Sequence, residues 1–211
     1  MIGIVDYGMG NLFSVSKALE RLHAEYFISD RIEELERADG IILPGVGSFK
    51  DAMALLKSKG LDRFLVNYAT NGGYLLGICL GMQLLFEESE ENGNSAGLSL
   101  LPGKVIRFTG TANNGEMYKV PHMGWNRLKF QRDDSILENC DEDYVYFVHS
   151  YYLQSDYDEV EIATADYYGT VPAIVGKGTV IGMQFHPEKS GELGMHLLRN
   201  YLRLVEEKVK A

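Results

Sequence analysis

The segment Tyr74-Leu75-Leu76-Gly77-Ile78-Cys79-Leu80-Gly81-Met82-Gln83 restricts the architecture of this chain more than any other stretch. An apolar run of strand type passes directly into a helical pattern, with a cysteine at the junction and a glycine two residues to either side. On so tight a strand-to-helix turn, side chains at both flanking positions clash with their surroundings. Glycine at both lifts the central side chain above the end of a sheet. A fold that supplies such a junction has strands that run into helices.

The rest of the first half has that form. Residues 2–6 read as a first strand, and Asn11 as the cap of a helix with Leu12, Val15, Ala18, Leu19 and Leu22 on one face. Residues 25–29 and 40–43 are further strands, the latter ended by Pro44-Gly45. Ser48 caps a helix carrying Ala52, Leu55 and Leu56, and another helix covers 61–69. The strand at 74–78 leads into a helix expected over 79–87, followed by a polar surface loop at 87–97. The second half is richer in strands, at 104–108, 125–130, 144–152, 160–166, 173–177 and 179–185, with a hairpin turn at Gly176-Lys177-Gly178 and a final helix over 191–209. Alternating helices with nearly all-apolar strands predict an α/β fold: an open mixed, mostly parallel sheet with helices on both faces. The length of 211 residues, with no repeat or linker, predicts a single domain spanning 1–211.

Composition narrows the function. Apolar residues at 45% and charged residues at 24% are globular proportions, which sets aside a disordered chain. The net charge of −10, with lysines and arginines scattered, lacks the basic stripe of a nucleic-acid binder. No apolar run approaches the ~18 residues of a membrane span. The start, Met1-Ile2-Gly3-Ile4-Val5-Asp6, is no secretory signal, so the expected location is the cytoplasm. Two cysteines without C-x-x-C spacing make neither a disulfide framework nor a zinc site.

Each cysteine is therefore read singly. A buried structural thiol in an apolar strand is the plain alternative for Cys79. Gly77 and Gly81 favour a nucleophile, and a helix starting at Cys79 favours its thiolate. Cys140, in the acidic stretch Asn139-Cys140-Asp141, is read as inert. A nucleophilic thiol needs a base, and the base needs holding. Among five histidines, His186 in His186-Pro187-Glu188 stands out. Pro187 biases His186 toward extended backbone, and in an extended segment residues 186 and 188 point the same way, so Glu188 can orient the imidazole. The loop Pro44-Gly45-Val46-Gly47 can present a backbone N–H to an oxyanion, with the N–H of Leu80 as second donor; an ordinary strand-to-helix turn is the alternative there.

Three of these segments, Pro44-Gly45-Val46-Gly47, Gly77-Ile78-Cys79-Leu80-Gly81-Met82-Gln83 and Gln184-Phe185-His186-Pro187-Glu188, together resemble the class I glutamine amidotransferases. Pro121-His122-Met123-Gly124-Trp125-Asn126, Tyr146-Phe147-Val148-His149-Ser150-Tyr151 and Asp6-Tyr7-Gly8-Met9-Gly10-Asn11-Leu12 narrow the resemblance to the glutaminase subunits of imidazole glycerol phosphate synthases, over almost the whole chain.

The resemblance implies that Cys79 attacks the amide of L-glutamine to form a thioester, that His186 moves the proton to the departing ammonia, and that Glu188 orients His186. It implies an oxyanion site at Gly45, Val46, Gly47 and Leu80, and contacts from Gln83, Ser150 and Tyr151 to glutamine. It also implies a heterodimer with a (β/α)₈-barrel cyclase of histidine biosynthesis, which takes up the ammonia. The stretch Tyr7-Gly8-Met9-Gly10-Asn11, with Met123, Trp125, Tyr146 and Lys189, would face that partner. No cofactor and no metal are implied. His122 and His149 stand in the signatures without a proton-transfer role. The polar stretch 109–118 departs from the family pattern. Of three rivals, the H-P-E triplet argues against a cysteine hydrolase on a hydrolase-like sheet, the intact Cys79, His186 and Glu188 argue against a non-catalytic regulatory subunit, and a paralogue feeding ammonia to another pathway such as surface-sugar amidation stays open.

Overall fold

A computed structural model describes residues 1–154 and 158–210. Its strands are β1 (Ile2–Val5), β2 (Tyr26–Ser29), β3 (Gly40–Gly45), β4 (Tyr74–Cys79), β5 (Glu88–Ser89), β6 (Ser95–Ala96), β7 (Lys104–Arg107), β8 (His122–Arg127), β9 (Lys129–Phe130), β10 (Tyr144–His149), β11 (Tyr151–Gln154), β12 (Glu161–Asp166), β13 (Thr170–Lys177) and β14 (Val180–Met183). The helices are α1 (Leu12–Arg21), α2 (Ile32–Leu35), α3 (Phe49–Ser58), α4 (Leu61–Thr70), α5 (Leu80–Gln83) and α6 (Gly191–Lys210).

The principal sheet has eight strands in the order β2-β1-β3-β4-β14-β13-β12-β9. The pairings from β2 to β14 are parallel, and those from β14 to β9 antiparallel. This is the expected mixed, mostly parallel sheet with covered faces. On one face Ile4, Ile42, Leu76 and Ile78 pack with Val15 and Leu19 of α1 and Leu197, Leu198 and Tyr201 of α6. On the other, Val5, Ile41, Leu43 and Leu75 pack with Phe49, Ala52 and Leu56 of α3 and Leu61 and Leu65 of α4. Successive strand residues thus enter opposite cores, which is why β1, β3 and β4 read as unbroken apolar runs. Asn11 and Ser48 cap α1 and α3 by accepting from the N–H groups of Ser14 and Asp51.

Five expectations needed correction. The polar stretch 87–97 is not loop throughout, since β5 and β6 pair antiparallel within it. The helix after Cys79 is one turn, not 79–87, because residues 97–101 capture its next carbonyls: Leu98 N–H donates to Leu84 at 2.8 Å and Leu100 N–H to Leu85 at 2.9 Å. The strand at 144–152 breaks at Ser150 and changes sheet, β10 pairing with β8 and β11 with β7. The strand expected at 125–130 begins at His122 and divides at Leu128, its second part joining the principal sheet through β12. β13 begins at Thr170, so Pro172 lies inside a central strand. The irregular β12–β13 register, where Ala163 faces Ile174 but Thr164 faces Pro172, accommodates a residue with no N–H to donate. The stretch 109–118 is closed by a bridge between Thr111 and Met117.

Helix α6 seals the sheet from behind. Tyr201 is fully buried, and its hydroxyl shares one proton between the carbonyls of Ile41 at 2.8 Å and Tyr74 at 3.1 Å. Tyr201→Phe is expected to lower stability by about 1 kcal/mol through the lost hydrogen bond. In urea unfolding the midpoint should fall with the slope unchanged; an unmoved midpoint would mean that the hydroxyl does not tie α6 to the sheet.

Candidate active site

Cys79 is the last residue of β4 and sits at φ 54°, ψ −112°. A positive φ is rare for a residue with a Cβ and is held only where the surroundings over-determine it. Both flanking glycines are required. A Cβ at Gly81 would stand 1.8 Å from the Leu43 carbonyl oxygen, and one at Gly77 would stand 2.5 Å from that of Gly81. The strand-to-helix turn read from sequence is present.

The sheet register then assembles the rest. Gly45 lies beside Cys79 in the β3–β4 pair, and Met183 beside Ile78 in the β14–β4 pair. The carboxyl ends of three neighbouring parallel strands thus deliver the Gly45–Gly47 loop, the sulfur and the segment leading to His186, the usual place for a site in an open α/β sheet. A cleft of about 340 Å³ opens there, lined among others by Val46, Gly47, Cys79, Leu80, Gln83, Ser150, Tyr151 and His186.

His186 is buried and extended, at φ −97°, ψ 96°, as Pro187 requires. The route to Glu188 differs from expectation. Residues Pro187–Lys189 form a 3-10 turn with proline in its first turn, and this turn, not an extended strand, swings the carboxylate back. Glu188 Oε1 meets His186 Nδ1 at 2.8 Å, with the Glu188 side chain fully shielded. The backbone is clamped as well: His186 N–H donates to Tyr146 at 3.1 Å, Ser190 Oγ–H donates to the His186 carbonyl at 2.6 Å, and Tyr146 N–H donates to Ser190 Oγ at 2.9 Å. Cys79 and His186 line the same cleft, where Cys79 Sγ–H reaches the Val148 carbonyl at 4.0 Å.

Two groups at the sulfur escaped the sequence analysis as separate participants. Gln184, fully buried, donates Nε2–H to Sγ at 3.9 Å and accepts from Gln83 Nε2 at 3.1 Å. Tyr7, expected with the partner-facing stretch, turns inward instead. It is buried, its hydroxyl has no protein partner among the described residues, and it lies 2.7 Å from where a Cβ on Gly45 would stand. Burial and the neighbouring Cys79 hold that hydroxyl protonated. Glu91 also lines the cleft, as the only acid among its lining residues, and donates nothing but accepts from Phe49 N–H at 2.7 Å. It sits in an acidic polar run that carries no signal of a site.

The remaining sequence-predicted residues are placed as follows. Gln83 Nε2–H donates to the Tyr151 carbonyl at 2.9 Å, across the cleft floor. Met123 and Trp125 are 61% and 57% exposed on β8, and the Trp125 and Tyr146 rings meet edge-on at 6.0 Å. Lys189 is exposed, while Asn11 is half-buried as a helix cap. Cys140 is remote from these groups. Burial and then Asp141 push its thiol up, and Asn200 Nδ2 contacts it at 3.6 Å, in keeping with an inert role.

Burial works against a charged His186, but hydrogen bonds to Cys79 and Glu188, together with their charges, outweigh it and raise the imidazole to about 9. The ordinary histidine value is about 6.5. A raised folded-state value stabilises the fold fully below about pH 6.5, and that contribution is lost as pH climbs through about 9. An NMR titration should place the His186 midpoint near 9 in the wild type and lower in Glu188→Gln. A wild-type midpoint at the ordinary value would mean that the three groups do not act together.

The model of the family "Glutamine amidotransferase class-I" matches residues 4–204. The chain is 60% identical to the imidazole glycerol phosphate synthase subunit HisH of Halalkalibacterium halodurans, over all of this chain and 99% of that one. It is 54% identical to the subunit of the same name from Bacillus subtilis, over the full length of both. Among solved structures, a glutamine amidotransferase superposes with a TM-score of 0.77 at 22% identity, covering 97% of this chain and 98% of that one. PurLQS from Thermotoga maritima gives 0.74 at 19%, with the same coverage. At such identities these structures speak for the fold.

Proposed function

The chain belongs to the class-I glutamine amidotransferases, and from that membership we propose that it is the glutaminase subunit of an imidazole glycerol phosphate synthase. The carrying observation is the Cys79–His186–Glu188 arrangement at the mouth of a small cleft, in a chain alike over its whole length to subunits of that name. L-Glutamine enters with its carboxamide toward Cys79. The Glu91 carboxylate suits the substrate's α-ammonium, and Ser150, Tyr151 and Gln83 form the opposite wall.

Sulfur attacks the amide carbon, and the oxygen takes up charge facing the Gly45–Gly47 loop and the Leu80 N–H. Protonated His186 gives its proton to the departing nitrogen, and ammonia leaves. Glu188 keeps the imidazole oriented throughout, its second oxygen free of protein partners among the described residues. Water, activated by the now neutral His186, hydrolyses the thioester to glutamate. Ammonia passes to a (β/α)₈-barrel cyclase, which uses it in histidine biosynthesis to form imidazole glycerol phosphate. We read residues 1–211 as one domain acting in the cytoplasm; no helix among the described residues is long and apolar enough to cross a membrane.

Cys79→Ser is expected to fold and to lose glutamine hydrolysis by several orders of magnitude, since a serine hydroxyl is far less ionised than a thiol. Cys140→Ser should leave the rate unchanged. Glutaminase activity within tenfold of wild type in Cys79→Ser would overturn the assignment.

A docked cyclase has a physical route to the chemistry. The stretch at residues 7–11 packs under the oxyanion loop at three points: Tyr7 at Gly45, Met9 at Gly47 and Gly10 at Pro44. Gly47, at φ +104°, and its neighbours can turn a peptide unit at little steric cost. One missing oxyanion donor slows such a reaction roughly 10²–10³-fold. The expected result is slow hydrolysis by the chain alone, and acceleration of that order once the cyclase and a substrate analogue are bound, measured as glutamate release. Equal rates in all samples would argue for a free-standing hydrolase. A cyclase that does not bind would point to a paralogue serving another pathway.

A further inference from the structure

Beside the cleft, which His149 itself lines, lies a buried pair of imidazoles that the chemistry above does not use. His122 on β8 and His149 at the end of β10 are 2% and 6% exposed and face each other across the ribbon, His122 Nδ1 to His149 Nε2 at 2.9 Å. Their partners decide which nitrogen carries each proton. His149 Nδ1 lies 2.8 Å from the Tyr151 carbonyl oxygen, which only accepts, so His149 is protonated on Nδ1 and bare on Nε2. His122 must therefore donate from Nδ1, leaving its own Nε2 bare. That nitrogen faces Asn126 Nδ2 at 3.2 Å. The Asn126 amide is oriented independently: its nitrogen also donates to the Asp166 carbonyl at 2.8 Å, and its oxygen accepts from Arg127 N–H at 2.8 Å.

Every donor in this chain has an acceptor, and no position is left for a further proton. Charging either ring would set two N–H groups head to head. Burial acts in the same direction, holding His122 down to about 4 and His149 down to about 3. The rings are also fixed in plane, His122 stacking between Phe147 at 4.5 Å and Tyr167 at 4.0 Å.

The chain ends on a working part of the site. The Tyr151 carbonyl accepts from His149 on one side and from Gln83 at 2.9 Å on the other. Gln83 continues to Gln184, and Gln184 to the Cys79 sulfur. We propose that the neutral His122–His149 pair is a positioning element of the glutaminase: in one fixed tautomeric arrangement it locks the Tyr151 carbonyl, and through Gln83 it sets the cleft wall that receives glutamine. This rests on the glutaminase function proposed above. His122 and His149 are positioning residues, since neither touches the sulfur.

Two measurements test it. In a ¹⁵N-imidazole spectrum of the wild-type protein at neutral pH, both rings should be neutral and protonated on Nδ1; an imidazolium, or an Nε2-protonated ring, overturns the proposal. This readout is independent of catalysis, so it stands or falls apart from the assigned reaction, which a dead wild-type enzyme would refute. The second measurement is steady-state glutamine hydrolysis by His149 variants whose folding is checked by circular dichroism. His149→Leu removes one of the two donors that fix the Tyr151 carbonyl and should raise KM about tenfold or more, with kcat changing less. His149→Asn places an amide N–H near the Nδ1 position and should restore most of the loss. His122→Phe keeps the ring stack, and in it His149 should stay neutral and protonated on Nδ1, the tautomer set by the Tyr151 carbonyl. A folded His149→Leu with wild-type KM, or no rescue by asparagine, would overturn the proposal.

Discussion

Much of this molecule follows from how closely the turn after β4 folds back on β3. A Cβ at Gly81 would stand 1.8 Å from the Leu43 carbonyl oxygen, so the approach exists only because that residue has no side chain. The turn forces Cys79 into positive φ, a conformation that costs of order 1–3 kcal/mol. Burial of Ile78, Leu80 and Met82 around it offsets that cost. Once the sulfur is lifted in this way, sheet register does the placing: Gly45 is its neighbour in β3, and His186 lies just past the end of β14.

The sequence places the start of a helix at Cys79, and the structure shows how little of that helix forms. A helix beginning at Cys79 offers its dipole, but α5 has four residues and its next carbonyls are taken by residues 97–101. A macrodipole needs aligned turns, and one turn supplies little of it. Local groups surround the sulfur instead: the Gln184 amide at 3.9 Å and the Val148 carbonyl at 4.0 Å. Glu188, its side chain shielded and 2.8 Å from Nδ1, helps keep the buried His186 imidazole raised.

The parallel half of the sheet was legible in the sequence because its strands are buried on both faces and its helices carry caps, as at Asn11 and Ser48. The Cys79 turn and the H-P-E triplet were legible because rare backbone geometry restricts residue choice. What escaped was set by distant partners. No local pattern shows that residues 97–101 would end α5, or that the strand through Ser150 would change sheets. Tyr7 looked like part of a surface stretch, yet its ring fills space beneath Gly45. Gln184 was hidden in an apolar strand end, and its amide matters only because Gln83 and Cys79 converge on it from β4 and α5.

Strand β8 shows how one short element can serve two surfaces. Its side chains alternate, so Met123 and Trp125 point outward while His122 and Asn126 point in. The outward residues are large, apolar and more than half exposed, and across the ribbon Tyr146 pairs with Trp125 and Val148 with Met123. An exposed apolar face of this kind is the usual mark of a surface that another protein covers. The inward residues enter the hydrogen-bond chain that ends at Tyr151 and Gln83. The pleat leaves no freedom between the two sets: a shift of β8 that reseated Trp125 would carry His122 with it, and His122 cannot move without disturbing His149, whose one N–H is committed to the Tyr151 carbonyl. Period-two geometry therefore makes any force on the outer face of this ribbon a force on the wall of the cleft.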